Sequence, residues 1–213
     1  MVLWDYRGEF LAGLGVTLQL TALAFVGALV VGTVIAVFRI SPITPLRAFG
    51  AFFVEVFRNV PVMSLLILVA FALPEIGVMW DLTTSVVVAM TCVGGAFLCE
   101  AVRGGINAVP AGQIEAARSL GFTFTGVLGH VVLPQAFRSM VQPLVTVFIG
   151  ILISSSLAGV IGVRDLTATV SSINNREALG LTTFLVAAVL YLVIALAAGG
   201  VGGWLERKLR VLR

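Results

Sequence analysis

Residues 10–38, 82–99, 139–163 and 178–205 contain no charged side chain. Runs of that length constrain the chain more than anything else in it. Roughly 17–25 consecutive apolar residues, as a helix, cross the ~30 Å hydrocarbon core of a bilayer. A further stretch, about 50–74, is apolar apart from Glu55 and Arg58 near its start. Composition agrees. Apolar residues make up 60% and charged residues 11% of the chain, against about 45–50% and 25% in soluble proteins. Mean hydropathy is +1.14. Such a chain has too little polar surface to face water. It is an all-α integral membrane protein, with five spans expected at about 11–38, 50–74, 82–102, 139–162 and 180–204.

A sixth run, 119–137, is uncharged but holds Gly121, Gly126, Gly129, His130 and Pro134, and it lies between Arg118 and Arg138. It reads as a loop with short helices. The first run is far longer than the apolar core of a secretory leader and reads as a retained span. Its Gly13, Gly15, Gly27 and Gly32 suit close helix packing in lipid.

Orientation follows from basic residues in the connections. With five spans, Arg39, Arg47, Arg58, Arg103, Arg118, Arg138, Arg207, Lys208, Arg210 and Arg213 share one side, ten of the thirteen Lys and Arg. Only Arg7, Arg164 and Arg176 face the other way. The basic side is expected to be cytoplasmic, with the N-terminus outside and the C-terminus inside.

Several function classes drop out. One histidine, His130, and two cysteines, Cys92 and Cys99, offer no metal-ligand set. The cysteines read as packing residues. The basic residues are scattered without interleaved aromatics, so no nucleic-acid surface is expected. An intramembrane serine protease needs a base beside its serine, and His130 lies in a connection away from the span serines. No catalytic residue is assigned.

The longest basic-side connection, 104–138, carries the most information. Pro110 and Gly121 bracket a short helix at about 111–120, with Arg118 in its last turn. Ile114, Ala117 and Gly121 share one face. Ala116 and Ala117 leave the helix thin. A second short helix is expected to start after Thr125 and stop at Pro134. A thin helix on a loop outside the membrane suits docking in a partner's groove. An interfacial loop whose small residues merely pack is equally compatible with the spacing.

Glu115-Ala116-Ala117, then Gly121, then Val131-Val132-Leu133-Pro134 resembles the EAA loop of ABC importer permeases, with Val131 in place of the usual isoleucine. Other segments resemble the polar-amino-acid branch of that family: Glu100-Ala101-Val102-Arg103-Gly104-Gly105-Ile106, Val109-Pro110-Ala111-Gly112-Gln113, Pro134-Gln135-Ala136, and Arg58-Asn59-Val60-Pro61, where valine replaces threonine. The resemblance covers roughly residues 14–205. One departure stands out: a lysine usual in the fourth span is Ile153, ahead of Ser154, Ser155 and Ser156.

The resemblance implies a single transmembrane domain over 1–213, of the type I ABC importer (MetI-like) kind, in a bacterial cell membrane. It implies a cytoplasmic ABC ATPase dimer, a second permease subunit that is the same or a different chain, and an extracytoplasmic solute-binding protein. Gly112, Gln113, Glu115, Ala116, Ala117, Gly121, Leu133 and Pro134 are the residues it assigns to ATPase coupling. The solute it implies is a polar amino acid, of glutamate or glutamine type, with basic amino acids or another small polar solute as alternatives. The chain has no G-x-x-x-x-G-K-[ST] phosphate loop. ATP and magnesium are therefore expected on the partner ATPase, with no cofactor here. An ATP-independent channel or transporter is the reading from a different class.

The charges at span ends are candidates for gating or path lining. Glu55 and Arg58 are i,i+3, and so are Glu100 and Arg103, a spacing that equally suits local pairing. Ser154, Ser155 and Ser156 fit either a solute path or back-bonding to their own helix. The segment 163–177 is the longest external connection and the expected contact for the binding protein.

Overall fold

The structure, a computed structural model, describes residues 2–209. Arg210 and Arg213, counted above with the basic side, lie outside the described residues. All regular structure among the described residues is helical. After a short turn at Val2–Asp5, eight helices follow: α1 (Arg7–Ile40), α2 (Thr44–Asn59), α3 (Val62–Glu75), α4 (Leu82–Asn107), α5 (Ala111–Ser119), α6 (Phe124–Ile161), α7 (Leu166–Glu177) and α8 (Leu181–Lys208). Of these, α1, α4, α6 and α8 are long and apolar enough to cross a membrane.

The span expected over 50–74 is not one helix. Its two parts, α2 and α3, meet at a bend of 106°. Pro61 causes the break. Its ring disfavours helical backbone in the preceding residue, and Val60 is extended at φ −82°, ψ 130°. Ser41, ahead of Pro42, ends α1 in the same way at ψ 141°. The α3 helix is only about 21 Å long at 1.5 Å per residue. Glu55 and Arg58 therefore lie on a separate amphipathic helix and not inside a continuous span.

The second short loop helix also differs from expectation. Thr123, not Thr125, is the N-cap, accepting from the Gly126 amide at 3.2 Å. The helix does not stop at Pro134 but runs on as α6. A π-helical turn over Leu128–Val132 precedes Pro134, and another over Leu68–Ala72 precedes Pro74. A proline inside a helix clashes with the carbonyl four residues back. The wider i→i+5 turn removes that clash, so both helices continue through their prolines. At about 57 Å, α6 exceeds the hydrocarbon thickness. Its first turns project beyond the bundle, and no sixth span is formed.

The centre of the bundle is the α1–α4 pair, packed against α3 and α6. Leu20, Leu66, Met90, Leu98 and Leu152 are fully buried there. Glycine makes the close approach: a Cβ at Gly32 would sit 2.7 Å from the Gly95 carbonyl oxygen and 3.0 Å from the Cys99 amide nitrogen. Gly13 and Gly27 likewise abut α7 and α4, whereas Gly15 faces open space. In α8 only Thr183, Ala187 and Gly202 are buried among the described residues. Charged side chains gather at the two ends of the bundle. Arg39, Arg58, Glu100 and Arg103 meet at the end that continues into α5. Glu9 and Arg176 meet at the other, at 2.5 Å.

Candidate functional site

The connection from Gly104 to Arg138 is a braced unit. Pro110, at φ −61° and ψ 135°, is the N-cap of α5. Val109, Ala117, Val127 and Val132 form a small core between α5 and the start of α6, with Ile114 packed against it. The Gln135 side-chain amide donates to the Gln113 side-chain oxygen at 2.6 Å and to the Val131 carbonyl at 2.9 Å. These contacts fix α5 against α6 through a bond that lies at the surface, where Gln113 is exposed.

The end of α5 is a Schellman turn. The Phe122 amide donates to the Ala117 carbonyl at 3.2 Å, and the Gly121 amide donates to the Arg118 carbonyl at 2.9 Å. Gly121 has φ +86°, a left-handed conformation that glycine adopts without a Cβ penalty. Its place at the helix end is the one expected from sequence. Gly112 lies inside α5, outside the positive-φ set, so it makes no sharp entry; Pro110 does that.

One face of α5 stays open. Glu115, Ala116, Arg118 and Leu120 are exposed, and Glu115 makes no ion pair among the described residues. Leu120 is 80% exposed. Leu133 and Pro134 are also exposed. Ala117 is not on the open face: it is 6% exposed, in the loop's own core. Its small side chain lets α5 lie close to α6 and does not thin the helix for a groove.

The charge pairs differ from the sequence pairing. Glu100 does pair with Arg103, at 3.2 Å, but also with Arg39 and, at 3.9 Å, with Arg58. Glu55 does not pair with Arg58; it accepts from the Asn59 side chain at 3.3 Å. One carboxylate thus gathers arginines from α1, α2 and α4. Spacing does not single out Arg39. The signal for it is its position as the first charge after the run 10–38, at the same level as the first charge after 82–99.

A cavity of about 260 Å³ lies between α3, α4 and α6, lined by Val62, Met90, Val93, Phe97, Thr146, Ile151 and Ser154 among others. Ser155 and Ser156 do not line it. Each donates to the carbonyl three residues back, at 2.7 Å, where α6 tightens into a 3₁₀ turn at Ser156–Ile161. Ser154 alone of the three reaches the cavity. Ile153 is 57% exposed on α6.

The segment 163–177 is largely α7, and its inner face is packed. Asp165 is fully buried as the α7 N-cap, accepting from the Ala168 amide at 2.8 Å. Leu166, Val170 and Ile173 pack against Phe10 of α1 and Ala187 of α8. The segment is exposed at Arg164 and again at Asn175, Arg176 and Glu177, where Arg176 lies over the Tyr6 ring at 5.1 Å.

The family described as "binding-protein-dependent transport system inner membrane component" matches residues 28–211. The chain belongs to this family. The probable glutamine ABC transporter permease protein GlnM of Bacillus subtilis is 33% identical over 98% of this chain and 96% of its own length. The glutamate/aspartate import permease protein GltK of Escherichia coli is 32% identical over 93% of this chain and 92% of its own. The crystal structure of an amino acid ABC transporter with histidines superposes at a TM-score of 0.92, with 32% identity and 97% coverage of both chains. The inward-facing MetNI methionine ABC transporter, at 23% identity and a TM-score of 0.76, shares the fold. The chain is therefore a membrane-embedded permease subunit of the ABC-importer type. The expectation from the loop motif is met at that level.

Proposed function

We propose that this permease forms half of the membrane path of an ATP-driven importer for polar amino acids, of glutamine or glutamate type. Its relatives named for glutamine, glutamate and arginine transport support the solute class. The arginine transport permease ArtQ of Bacillus subtilis, 31% identical over 94% of this chain, keeps basic amino acids as the second reading. The cavity beside Ser154 is the path segment in this subunit. It lies on the open side of α3, α4 and α6, where a second permease completes it.

The observation that carries the coupling role is the loop's construction. A core of Val109, Ala117, Val127 and Val132 and the Gln113–Gln135 bond hold α5 rigidly on its own chain. Glu115, Ala116 and Leu120 project from the open face. A rigid projecting helix transmits a push; a free loop would dissipate it. A cytoplasmic ATPase dimer grips this face and supplies ATP hydrolysis, which this chain does not perform. The closing motion then rocks the spans around the path. An extracytoplasmic binding protein delivers solute at the opposite end, near Arg176. The basic, loop-bearing end is cytoplasmic.

The test is co-expression with the ATPase and binding protein encoded alongside, followed by reconstitution in liposomes. ATP-dependent uptake of labelled glutamine or glutamate is the expected result. Uptake that needs neither ATP nor the ATPase chain would refute the coupling reading.

A further inference from the structure

Three arginines around one carboxylate leave positive charge unbalanced at the loop-side end of the bundle. Arg39 and Arg103 hold Glu100 most closely, with the Arg103 guanidinium 3.2 and 3.3 Å from its two oxygens. Their side chains are 20% and 30% exposed. Arg58 is different. It stands 3.9 Å from Glu100, beyond hydrogen-bond distance, and its side chain is 44% exposed. Its guanidinium rests instead over the Phe97 ring, 5.4 Å from the centroid. That ring lines the cavity, beside Val62 at the start of α3. The bend at Val60-Pro61 is what aims α2, and with it Arg58, at this rim. The cavity itself is almost wholly apolar: of its lining hydroxyls, Thr146 is back-bonded to the Gln142 carbonyl at 3.0 Å, and Ser154 carries no charge. A zwitterionic solute leaving it meets its first fixed cation at Arg58.

We propose that Arg58, with Arg39 and Arg103 behind it, is a carboxylate-binding station at the loop-side mouth of the cavity. It takes the α-carboxylate of the solute on its way out. The proposal rests on the cavity being the solute path. A planar guanidinium stacked on an aromatic ring is preorganised to receive a carboxylate through two parallel N–H donors. The neighbouring arginines leave Glu100 little capacity to neutralise it. The same chemistry would accept a lipid phosphate, and the experiment separates the two.

The complex of permeases and ATPase is placed in nanodiscs of phosphatidylcholine, and in discs with one third phosphatidylglycerol. Equilibrium binding of labelled L-glutamine and of labelled L-glutamate is measured for wild type, Arg58→Gln, Arg58→Lys and the control Arg47→Gln, an exposed arginine on the same helix. Binding of glutamine's α-carboxamide analogue is measured by competition. Losing a charged hydrogen-bond partner should weaken glutamine binding about tenfold to a hundredfold in Arg58→Gln. Arg58→Lys should keep most of the affinity, and Arg47→Gln all of it. The carboxamide should bind wild type and Arg58→Gln alike. Undiminished glutamine binding by Arg58→Gln refutes the station alone. A loss seen only in phosphatidylglycerol discs assigns the arginines to lipid and also refutes it. No glutamine or glutamate binding by wild type refutes the underlying path reading, and the station with it.

Discussion

Replacing Gly121 separates strain from steric fit. Gly121 closes the Schellman turn at φ +86°. Any L-residue there pays roughly 1–2 kcal/mol for left-handed backbone, which shifts the local order of the turn by a factor of about 5–30. A Cβ at Gly121 meets nothing within 4 Å in this chain. Alanine and leucine therefore cost the isolated permease nearly the same. Any difference between them is read by what covers the loop. Gly121→Ala is expected to retain reduced uptake, and Gly121→Leu to abolish it, with equal permease content in the membrane for both. ATPase co-purification should fall with Gly121→Leu and persist with Gly121→Ala. Glu115→Ala should do less than Gly121→Leu, because an exposed ion pair is worth only about 0–1 kcal/mol. The assays are labelled-solute uptake and ATPase recovery on the purified permease. Normal transport by Gly121→Leu, identical behaviour of the two glycine variants, or greater damage from Glu115→Ala would each overturn the steric account of this loop.

Gln135→Leu, which removes the brace to Gln113, should loosen α5 by about 0.5–1.5 kcal/mol; ATP hydrolysis should then persist with a lower uptake per ATP, and an unchanged ratio would count against the brace. Gly32→Ala should lower thermal stability in detergent by about 1–3 kcal/mol, the range for an overpacked core, whereas Gly15→Ala, in open space, should leave it unchanged; equal melting of the two would refute the close α1–α4 approach. Asp165→Ala should cost about 1 kcal/mol through loss of the α7 cap, while Asp165→Asn, itself a good cap, should cost far less. Burial pushes the Asp165 carboxyl above its ordinary value, so the wild-type fold loses stability as pH rises from the unfolded value to the raised folded one. Denaturation curves from about pH 4 upward should show that loss in wild type and not in Asp165→Asn. For orientation, single cysteines at Gly8 and Ser119 should label with an impermeant reagent from the outside and the inside of cells respectively; the reverse pattern would sink the assignment.

The parts of this fold that were legible in the sequence are those set by one physical cause that nothing else opposes. Four uncharged runs became α1, α4, α8 and the membrane-crossing part of α6, because nothing competes with hydrocarbon for a run that long. Gly121 was legible because positive φ at a helix end is a local backbone demand. Prolines were harder. Pro61 breaks the chain by 106°, yet Pro134 and Pro74 do not break it at all. At Pro134 and Pro74 a π turn upstream widens the helix and removes the clash, whereas Pro143 lies inside α6 without one, so the residue type alone does not say which outcome follows. The site followed the same division. Pairing by i,i+3 spacing found Glu100–Arg103 but could not see Arg39 and Arg58 arriving from two other helices. It also invented a Glu55–Arg58 pair, because local spacing was the only geometry on offer. The burial of Ala117 and Asp165 was not legible for a related reason. A small residue in a docking motif and a charge on an external connection both suggest surface, and only tertiary contacts reveal that each is buried where a helix is fastened. Burying Asp165 takes an amide donor, a hydroxyl neighbour and close backbone, contributed by α7, Tyr191 of α8 and Gly13 of α1. A charge fastened that way fixes α7 to the bundle and leaves Arg164 at its start and Asn175, Arg176 and Glu177 at its end as the exposed charged and polar side chains of this connection.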